Sequence, residues 1–238
     1  MRQIIIEGHD GAGKTTFSNL LVENYRSRGF SVERLKFPSS YPSDDLLSRP
    51  SDLMLFYLND FREGLAPFRE NPVDILVIDR SFLSTMVYQC FQESENYTND
   101  VLDENALRSM ATLGSRIFTE GLDPVEVEIV LMSCEINTAT RRMTERNSGE
   151  KDKLERMRSR DRYMKVRLLK DRYQVLKGVF RYGWYRPLEI GGNAFDIAKV
   201  IELDTTNLDP EQALKAYLQK SLEPEYFESA VNVKAVFE

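Results

Sequence analysis

The chain has 238 residues, of which 42% are apolar and 29% are charged, and its formal net charge is −6. This length and balance predict a soluble globular protein and exclude an intrinsically disordered chain. No stretch approaches the roughly 20 apolar residues of a membrane-spanning helix, and the first residues do not resemble a signal peptide. The negative net charge argues against general binding of nucleic acid.

Reactive sulfur and imidazole groups are scarce, because the chain has two cysteines and one histidine. Cys90 and Cys134 cannot form a disulfide framework and lack the spacing of a metal site. We therefore expect packed thiols and a cytoplasmic location. A single histidine, His9, excludes histidine-based metal sites and argues against a Ser-His-Asp triad.

Short apolar runs alternate with helical patterns along the chain. Five runs are typical of buried strands: Gln3 to Glu7, Phe30 to Phe37, Val73 to Ile78, Val125 to Leu131 and Ile197 to Leu203. Helical spacing covers Lys14 to Ser27 and Ser51 to Gly64, with Ser51 as the N-cap, and begins again at Pro210. This alternation predicts βαβ units and a parallel sheet.

Positive charge is concentrated in one segment. Residues 139–172 hold 13 Lys or Arg against 6 Asp or Glu, inside a chain whose net charge is −6. Glu150 to Arg162 is charged and has few apolar anchors, whereas an apolar stripe begins at Val166. We expect a basic, mobile segment that leads into a packed helix.

The most specific motif runs from Gly8 to Thr15 and matches G-x-x-x-x-G-K-[ST] between a strand and a helix. Its glycines let successive N–H groups converge on one phosphate, and the helix N-terminus adds partial positive charge. We expect Lys14 to reach the outer phosphates of ATP and Thr15 to hold Mg²⁺. The alternative is a glycine turn that binds nothing, and His9 is more simply a loop residue than a catalyst.

Carboxylates and an arginine accompany this loop. Asp79 ends the third predicted strand, where an open α/β sheet binds ligands, and it is expected to help hold the metal. Arg80 follows and can bind a phosphate, or else form a plain salt bridge. Asp10 either caps a turn or contacts Mg²⁺, a water or a substrate hydroxyl.

GTPases would need an N-K-x-D guanine motif, which the chain lacks, so small-molecule kinases are favoured. Six segments, in family order, resemble thymidylate kinases, which are nucleoside monophosphate kinases. They are EGHDGAGKTT, KFP at Lys36 to Pro38, LFYLN at Leu55 to Asn59, DRSFLSTMVYQ at Asp79 to Gln89, the segment from Arg142 to Glu155, and IELDTT at Ile201 to Thr206.

The resemblance implies a three-layer P-loop NTP hydrolase fold, with five parallel strands in the order 2-3-1-4-5, helices on both faces and a lid near residues 142–162. The chain is then one kinase domain over residues 1–238, with residues 223–238 unassigned. The resemblance also implies ATP, Mg²⁺ and a homodimer.

The resemblance also implies which residues bind each substrate. On the donor side they are Gly8, Gly11, Ala12, Gly13, Lys14, Thr15 and Thr16 for the phosphates, with Arg142 near the adenine. On the acceptor side they are Asp10 for the 3′-hydroxyl, Phe37, Phe56 stacked on the base, Arg80 for the phosphate, Ser84 and Thr85 in the base pocket, and Tyr88 at the 2′ position. Phe56 and Tyr88 are equally compatible with a core role.

Gly11 occupies the position where some family members place an arginine. The resemblance therefore implies that the lid supplies the compensating cation, with Arg146 and Lys153 as the leading candidates beside Lys151 and Arg156. A solvated basic face is the alternative.

Two departures from the family bear on the acceptor. Ser39 and Ser40 stand where the family has an arginine that binds the acceptor phosphate, so Arg49 is the expected substitute. Asp60 stands where the family has an arginine that donates to thymine, and an ionised carboxylate can only accept. We hypothesise a pocket for a modified pyrimidine or for several deoxynucleotides.

Two other functions stay open. Asp79-Arg80-Ser81 faintly resembles a segment of deoxynucleoside kinases, although Lys36 to Ser40 lacks the carboxylate base that those enzymes carry after strand two. The other alternative is a protein that binds nucleotide without catalysis, against which the retention of Lys14, Thr15 and Asp79 argues.

Overall fold

The computed structural model describes residues 1–40, 42–43, 45, 50–92, 101–119, 126–147, 159–181 and 197–221. The strands are β1 Arg2–Gly8, β2 Val32–Lys36, β3 Ile75–Asp79, β4 Phe91–Gln92, β5 Val101–Leu102, β6 Glu126–Ser133 and β7 Ile197–Asp204. The helices are α1 Lys14–Ser27, α2 Pro50–Glu70, α3 Phe82–Gln89, α4 Glu104–Thr119, α5 Ile136–Asn147, α6 Ser159–Arg181 and α7 Pro210–Lys220.

Some predictions fall outside the described residues. They are Arg49, the part of the predicted lid with Lys151, Lys153 and Arg156, and the segment from residue 223 onward. Arg146 lies in α5, but its side chain is likewise outside the description. The single-domain prediction for residues 1–238 stays a prediction.

The main sheet is parallel and has five strands in the order β2-β3-β1-β6-β7. Because β6 and β7 are the fourth and fifth strands of this sheet along the chain, the predicted order 2-3-1-4-5 is confirmed. In the central strand, Ile6 pairs with Asp79 of β3 and with Val130 of β6. The carboxyl ends of β1, β3 and β6 therefore meet at one edge. A separate antiparallel pair joins β4 to β5.

Helices cover both faces of the sheet, and the alternation of side chains along β1 builds a core on each side. Ile5 packs with apolar residues of α2, α3, α4 and α6. Ile4 and Ile6 pack with apolar residues of α1 and α7. Strands buried on both faces have apolar residues at nearly every position, as in Ile75–Asp79, which is why short continuous apolar runs predicted them correctly.

Helix α1 has the predicted bounds, Lys14–Ser27. The prediction of a helix over Ser51 to Gly64 with Ser51 as the N-cap is wrong in its limits, because α2 already includes Pro50 and continues to Glu70. Leu58, Phe61 and Leu65 are buried at helical spacing, so packing extends the helix past Gly64 and through Pro67.

The two cysteines are expected to be packed thiols. Cys90 and Cys134 are both buried, and burial raises the pKa of the Cys90 thiol to about 12, as expected for packed thiols.

Among the residues that the structure describes, no helix combines the length and apolar character needed to span a bilayer.

Candidate nucleotide-binding site

The loop between β1 and α1 is packed closely against its neighbours. Gly8, Gly11 and Gly13 all have positive φ angles, of 143°, 79° and 91°. A Cβ atom on Gly8 would lie 2.0 Å from the Met132 carbonyl oxygen, and one on Gly11 would lie 2.6 Å from the Ala139 carbonyl oxygen. The first two glycines therefore allow the loop to rest directly on β6 and α5, and the main chain forms the concave face of the loop.

His9 anchors the loop to the sheet. Its Nδ1 donates to the Asp10 carbonyl oxygen at 2.8 Å, while its Nε2 accepts from the Cys134 amide at 3.1 Å. Burial lowers the pKa of His9, which fits a neutral ring with its proton on Nδ1. The structure thus assigns His9 a loop-anchoring role, as the sequence suggested.

Lys14 folds back over the same loop. Its Nζ donates to the Gly8 carbonyl oxygen at 2.7 Å and to the His9 carbonyl oxygen at 2.8 Å. Burial, reinforced by the positive charge of Arg80, lowers the pKa of Lys14 to about 7. The ammonium group is held at the loop where a phosphate would be bound.

Thr15 and Asp79 form an oxygen pair at the edge of the sheet. Thr15 Oγ1 donates to Asp79 Oδ2 at 2.9 Å, and Arg34 of β2 donates to the same Oδ2 at 2.7 Å. Hydroxyl and carboxylate oxygens suit Mg²⁺, which takes most of its other ligands from water and nucleotide phosphates. The pair fits the metal for this reason, although the described residues contain no cluster of three or more metal-ligating side chains.

A cavity of about 820 Å³ opens above the loop. Its lining includes predicted residues from both substrate sites: Asp10, Gly11, Ala12, Gly13, Lys14, Thr15, Thr16, Phe37, Arg80 and Arg142. It also includes residues to which the sequence analysis assigned no role, notably Lys36, Met132, Met143, Thr205, Leu208 and Asp209. Donor and acceptor residues thus share one cavity.

Arg142 joins three parts of the donor side. Its guanidinium donates to the Thr205 carbonyl oxygen at 2.8 Å and to Thr205 Oγ1 at 3.1 Å, and it lies 3.4 Å from the Gly11 carbonyl oxygen. Thr205 Oγ1 in turn donates to the Ala12 carbonyl oxygen at 3.0 Å. The segment between β7 and α7, which begins at Thr205, therefore closes one wall of the cavity against α5.

Arg80 and Asp10, both predicted to contact the acceptor, form an ion pair. Arg80 donates to an oxygen of Asp10, and Tyr88 is hydrogen-bonded to the same guanidinium. Burial opposes ionisation of Asp10, but Arg80 and Lys14 outweigh it and lower its pKa. Arg80 has a φ of 71°, a left-handed conformation that costs a non-glycine residue about 1–2 kcal/mol and is found most often at functional sites.

Glu7 is a fully buried carboxylate that the sequence analysis did not single out. It accepts from the Ser81 amide at 2.7 Å, from Ser81 Oγ at 2.8 Å, from Ser84 Oγ at 2.7 Å and from the Tyr173 hydroxyl at 2.9 Å. Four donors compensate its burial. Its neighbours include Ser84, one of the predicted acceptor residues.

Aromatic rings and a second buried carboxylate lie along α2. Phe56 is half-buried and packs edge-on against Tyr57 at 5.5 Å, and Tyr57 packs in the same way against Phe37 at 6.0 Å. Asp60 accepts from the Ser39 amide at 2.8 Å, from the Ser39 hydroxyl, and from Ser40 Oγ at 3.0 Å. The two departures from the family thus bind each other.

Most of the predicted site residues fall into two groups. Phe56, Asp60, Ser84, Thr85 and Tyr88 lie on α2 and α3 and are not among the described residues that line the cavity, and Ser84 and Thr85 are buried. The second group lines the cavity itself, and the predicted residues Gly8 and Asp79 belong to neither group. Sequence reasoning did not single out Arg34, Glu7 or Tyr173. The structure shows that they lie on other elements and hydrogen-bond to Asp79 or Ser84.

Comparison with known proteins found relatives that match part of this chain. No protein-family model matches the chain. A protein of Archaeoglobus fulgidus described as a probable thymidylate kinase is 33% identical over 96 residues, which cover 36% of this chain and 48% of that protein. One of Methanosphaera stadtmanae with the same description is 34% identical over 101 residues, which cover 36% of this chain and 52% of that protein. The chain therefore spans about half the length of the curated relatives it matches.

A solved structure matches over more of the fold. The deoxyadenosine kinase of M. mycoides with bound dATP superposes with a TM-score of 0.56 over 92% of this chain and 98% of that one, at 16% identity. At this identity the likeness concerns the fold alone. The chain is thus similar, over part of its length, to proteins described as probable thymidylate kinases, and it shares the fold of a solved deoxyadenosine kinase. The predicted resemblance and the predicted fold class are both confirmed.

Proposed function

We propose that this P-loop kinase relative is an ATP-dependent nucleoside monophosphate kinase, with a deoxynucleoside monophosphate as acceptor and dTMP as the leading candidate. One observation carries the proposal: the Arg80–Asp10 pair lines the same cavity as Lys14 and the phosphate-binding loop. A fixed guanidinium facing the phosphate-binding loop suits an acceptor that is itself a phosphate.

The reaction transfers the γ-phosphoryl group of ATP. A bond forms between an oxygen of the acceptor phosphate and the γ-phosphorus, the bond from the γ-phosphorus to the β,γ-bridging oxygen breaks, and ADP leaves. Such a transfer depends on positioning and on stabilisation of charge. Loop amides and Lys14 would bind the donor phosphates, and Arg80 would hold the acceptor phosphate.

Mg²⁺ fits beside the donor phosphates, with Thr15 and Asp79 as its protein ligands. When bound, it neutralises part of the charge on the transferred group. Arg142, Thr205 and Leu208 would form the wall beside the adenine. The roles of Arg146, Lys153 and Arg49 stay predictions, as do the homodimer and the cytoplasmic location.

A deoxynucleoside kinase is the second candidate, favoured by the Asp79-Arg80-Ser81 segment. That reaction needs a base for the 5′-hydroxyl, and the described carboxylate in the cavity nearest to Arg80 is Asp10. Because Arg80 and Lys14 lower the pKa of Asp10, this carboxylate is a weak base. A monophosphate acceptor needs no such base, since it brings its own negative charge.

The base specificity follows from Asp60 in this proposal. Ser39 and Ser40 engage its carboxylate, so the position that carries an arginine in the family presents no donor to thymine O4. We infer a pocket that accepts a modified pyrimidine, such as a hydroxymethyl base, or several deoxynucleotides. Asp60→Arg should narrow the preference towards dTMP, and an unchanged preference for dTMP in both enzymes would contradict this.

The decisive assay measures ATP consumption with Mg²⁺ against dTMP, dUMP, hydroxymethyl-dUMP, dCMP, dGMP, dAMP and thymidine. We expect a diphosphate product from dTMP or another monophosphate. A product from thymidine alone would assign the protein to the nucleoside kinases. ATP binding without any product would support a non-catalytic protein.

A further inference from the structure

A chain of buried hydrogen bonds links helix α6 to the acceptor cation. The Tyr173 hydroxyl on α6 donates to Glu7 Oε2 at 2.9 Å, and Ser84 Oγ on α3 donates to the same oxygen at 2.7 Å. Arg80 then donates to Ser84 Oγ at 3.4 Å and to Asp10. The chain therefore runs from α6 through β1 and α3 to the guanidinium in the cavity.

The chain is shielded from water, so its hydrogen bonds are strongly constraining. Glu7 is 0% exposed, Tyr173 2% and Ser84 5%. Burial raises the pKa of Tyr173 well above its usual value, so the hydroxyl keeps its proton and remains a donor. Because a buried carboxylate must keep its donors, Glu7 fixes the direction in which each hydroxyl points.

The orientation of Ser84 decides what Arg80 can contact. Since Ser84 Oγ gives its proton to Glu7, its lone pairs are available to the Arg80 guanidinium. Arg172, next to Tyr173, donates to the Val87 carbonyl oxygen at 3.2 Å and lies over the Phe91 ring at 5.1 Å. Helix α6 therefore contacts α3 through two successive residues, Arg172 and Tyr173.

We propose that Tyr173, through Glu7 and Ser84, is a positioning residue that holds the Arg80 guanidinium in place for the acceptor phosphate. The inference rests on the proposed function, because it assigns Arg80 to a monophosphate acceptor.

The chain offers a matched control. The Tyr217 hydroxyl on α7 donates to Glu128, which is also fully buried and pairs with Arg2 at 3.0 Å. This second tyrosine–glutamate pair lies in the core formed with α1 and α7, which is on the other face of the sheet from α6. Tyr217→Phe therefore removes a buried phenol hydroxyl of the same kind without touching Ser84 or Arg80.

The experiment compares Tyr173→Phe with Tyr217→Phe in steady-state kinetics with dTMP and ATP, and in calorimetric titration with dTMP. Loss of one hydrogen bond of this type corresponds to about a two- to tenfold effect. We expect Tyr173→Phe to raise the KM and Kd for dTMP by that factor while the KM for ATP stays within about twofold. Tyr217→Phe should lower the melting temperature and leave both KM values unchanged.

Glu7→Gln and a double mutant give independent readings. Glu7→Gln keeps the side-chain volume and one acceptor oxygen, so it should fold and show the same selective rise in the KM for dTMP. In a Ser84→Ala background, Tyr173→Phe should add little further change, because Ser84 is the step through which Tyr173 acts.

Three results would overturn the inference. Equal kinetics for Tyr173→Phe and Tyr217→Phe would show that the hydroxyl is only structural. A parallel rise in the KM values for dTMP and ATP would show a general disturbance of the cavity. If wild-type protein transferred phosphate to no monophosphate, the proposed function itself would fail and this inference with it.

Discussion

The donor and acceptor halves of the cavity are built in different ways. On the donor side several contacts end on main-chain oxygens: Lys14 on Gly8 and His9, Thr205 on Ala12, and Arg142 near Gly11. Side-chain contacts of Arg142 with Thr205 and of Thr15 with Asp79 accompany them. On the acceptor side the contacts join side chain to side chain: Arg80 to Asp10, Ser40 to Asp60, and Tyr173 to Glu7. Lys14 and its acceptors Gly8 and His9 belong to one short motif, whereas Arg80 and Asp10 are 70 positions apart and Tyr173 and Glu7 are 166 apart.

The largest effect is expected from the donor half. Lys14→Met removes the cation that is proposed to neutralise the transferred phosphate, so kcat should fall on the order of 10³-fold. Nucleotide binding should persist in weakened form, because the loop amides remain. Initial rates, together with equilibrium binding of ATP, measure both. Lys215→Met, at an exposed position on α7, is the control, and an unchanged kcat in Lys14→Met would contradict the assignment.

The donor half should also make nucleotide binding depend on pH. The pKa of Lys14 in the free protein is about 7, and bound phosphates must raise it, so binding takes up a proton above pH 7. Affinity for ATP should therefore fall as pH rises, by up to about tenfold per pH unit.

Calorimetry between about pH 7.5 and 9.5, in buffers of different ionisation enthalpy, measures the proton uptake directly. Lys14→Met should abolish the uptake. An affinity for ATP that is independent of pH in the wild-type protein would show that Lys14 is not the group concerned.

In the acceptor half, Asp60→Ala tests how much the hydrogen bonds accepted by the Asp60 carboxylate stabilise the protein. The change leaves the Ser39 amide and two serine hydroxyls without their acceptor, so the free energy of unfolding should fall by about 1–3 kcal/mol. Asp74 is the matched control, because it accepts from the Ser31 amide and hydroxyl at an exposed position. Denaturant titration should show a smaller loss for Asp74→Ala, and equal losses would count against the buried pair.

The smallest effect is expected from Arg34, which pairs with the Asp79 side chain on the donor side. Arg34 binds the same Asp79 oxygen as Thr15, so it would compete with the proposed Mg²⁺ for that carboxylate. Arg34→Met should lower the Mg²⁺ concentration needed for half-maximal activity by roughly fivefold and increase the thermal stabilisation by Mg²⁺ alone. Arg108→Met, in an exposed pair on α4, should change neither. A higher Mg²⁺ requirement would instead make Arg34 a helper of the metal.

The same contrast explains how much the sequence could predict. The five strands of the main sheet, α1 and the phosphate-binding loop follow from local patterns, since continuous apolar runs and a glycine motif are short-range signals. The order of the strands was implied by the family resemblance. Sequence reasoning did not identify Arg34, Glu7 or Tyr173, because an isolated charge or hydroxyl gives no periodic signal and its partner lies on another element. Glu7 and Tyr173 are separated by 166 positions. For Asp60 the substitution was visible, but its partners Ser39 and Ser40 could be identified only in three dimensions.

Glu7 and Gly8 are consecutive residues at the end of the central strand, and each serves a different half of the cavity. Glu7 holds the acceptor network, and the Gly8 carbonyl receives Lys14. Their Cα atoms are separated by one trans peptide, about 3.8 Å, in a strand hydrogen-bonded on both sides. The two hydrogen-bond networks are thus anchored on adjacent residues of one strand, so a shift of the surrounding helices leaves the separation of these two anchor points unchanged.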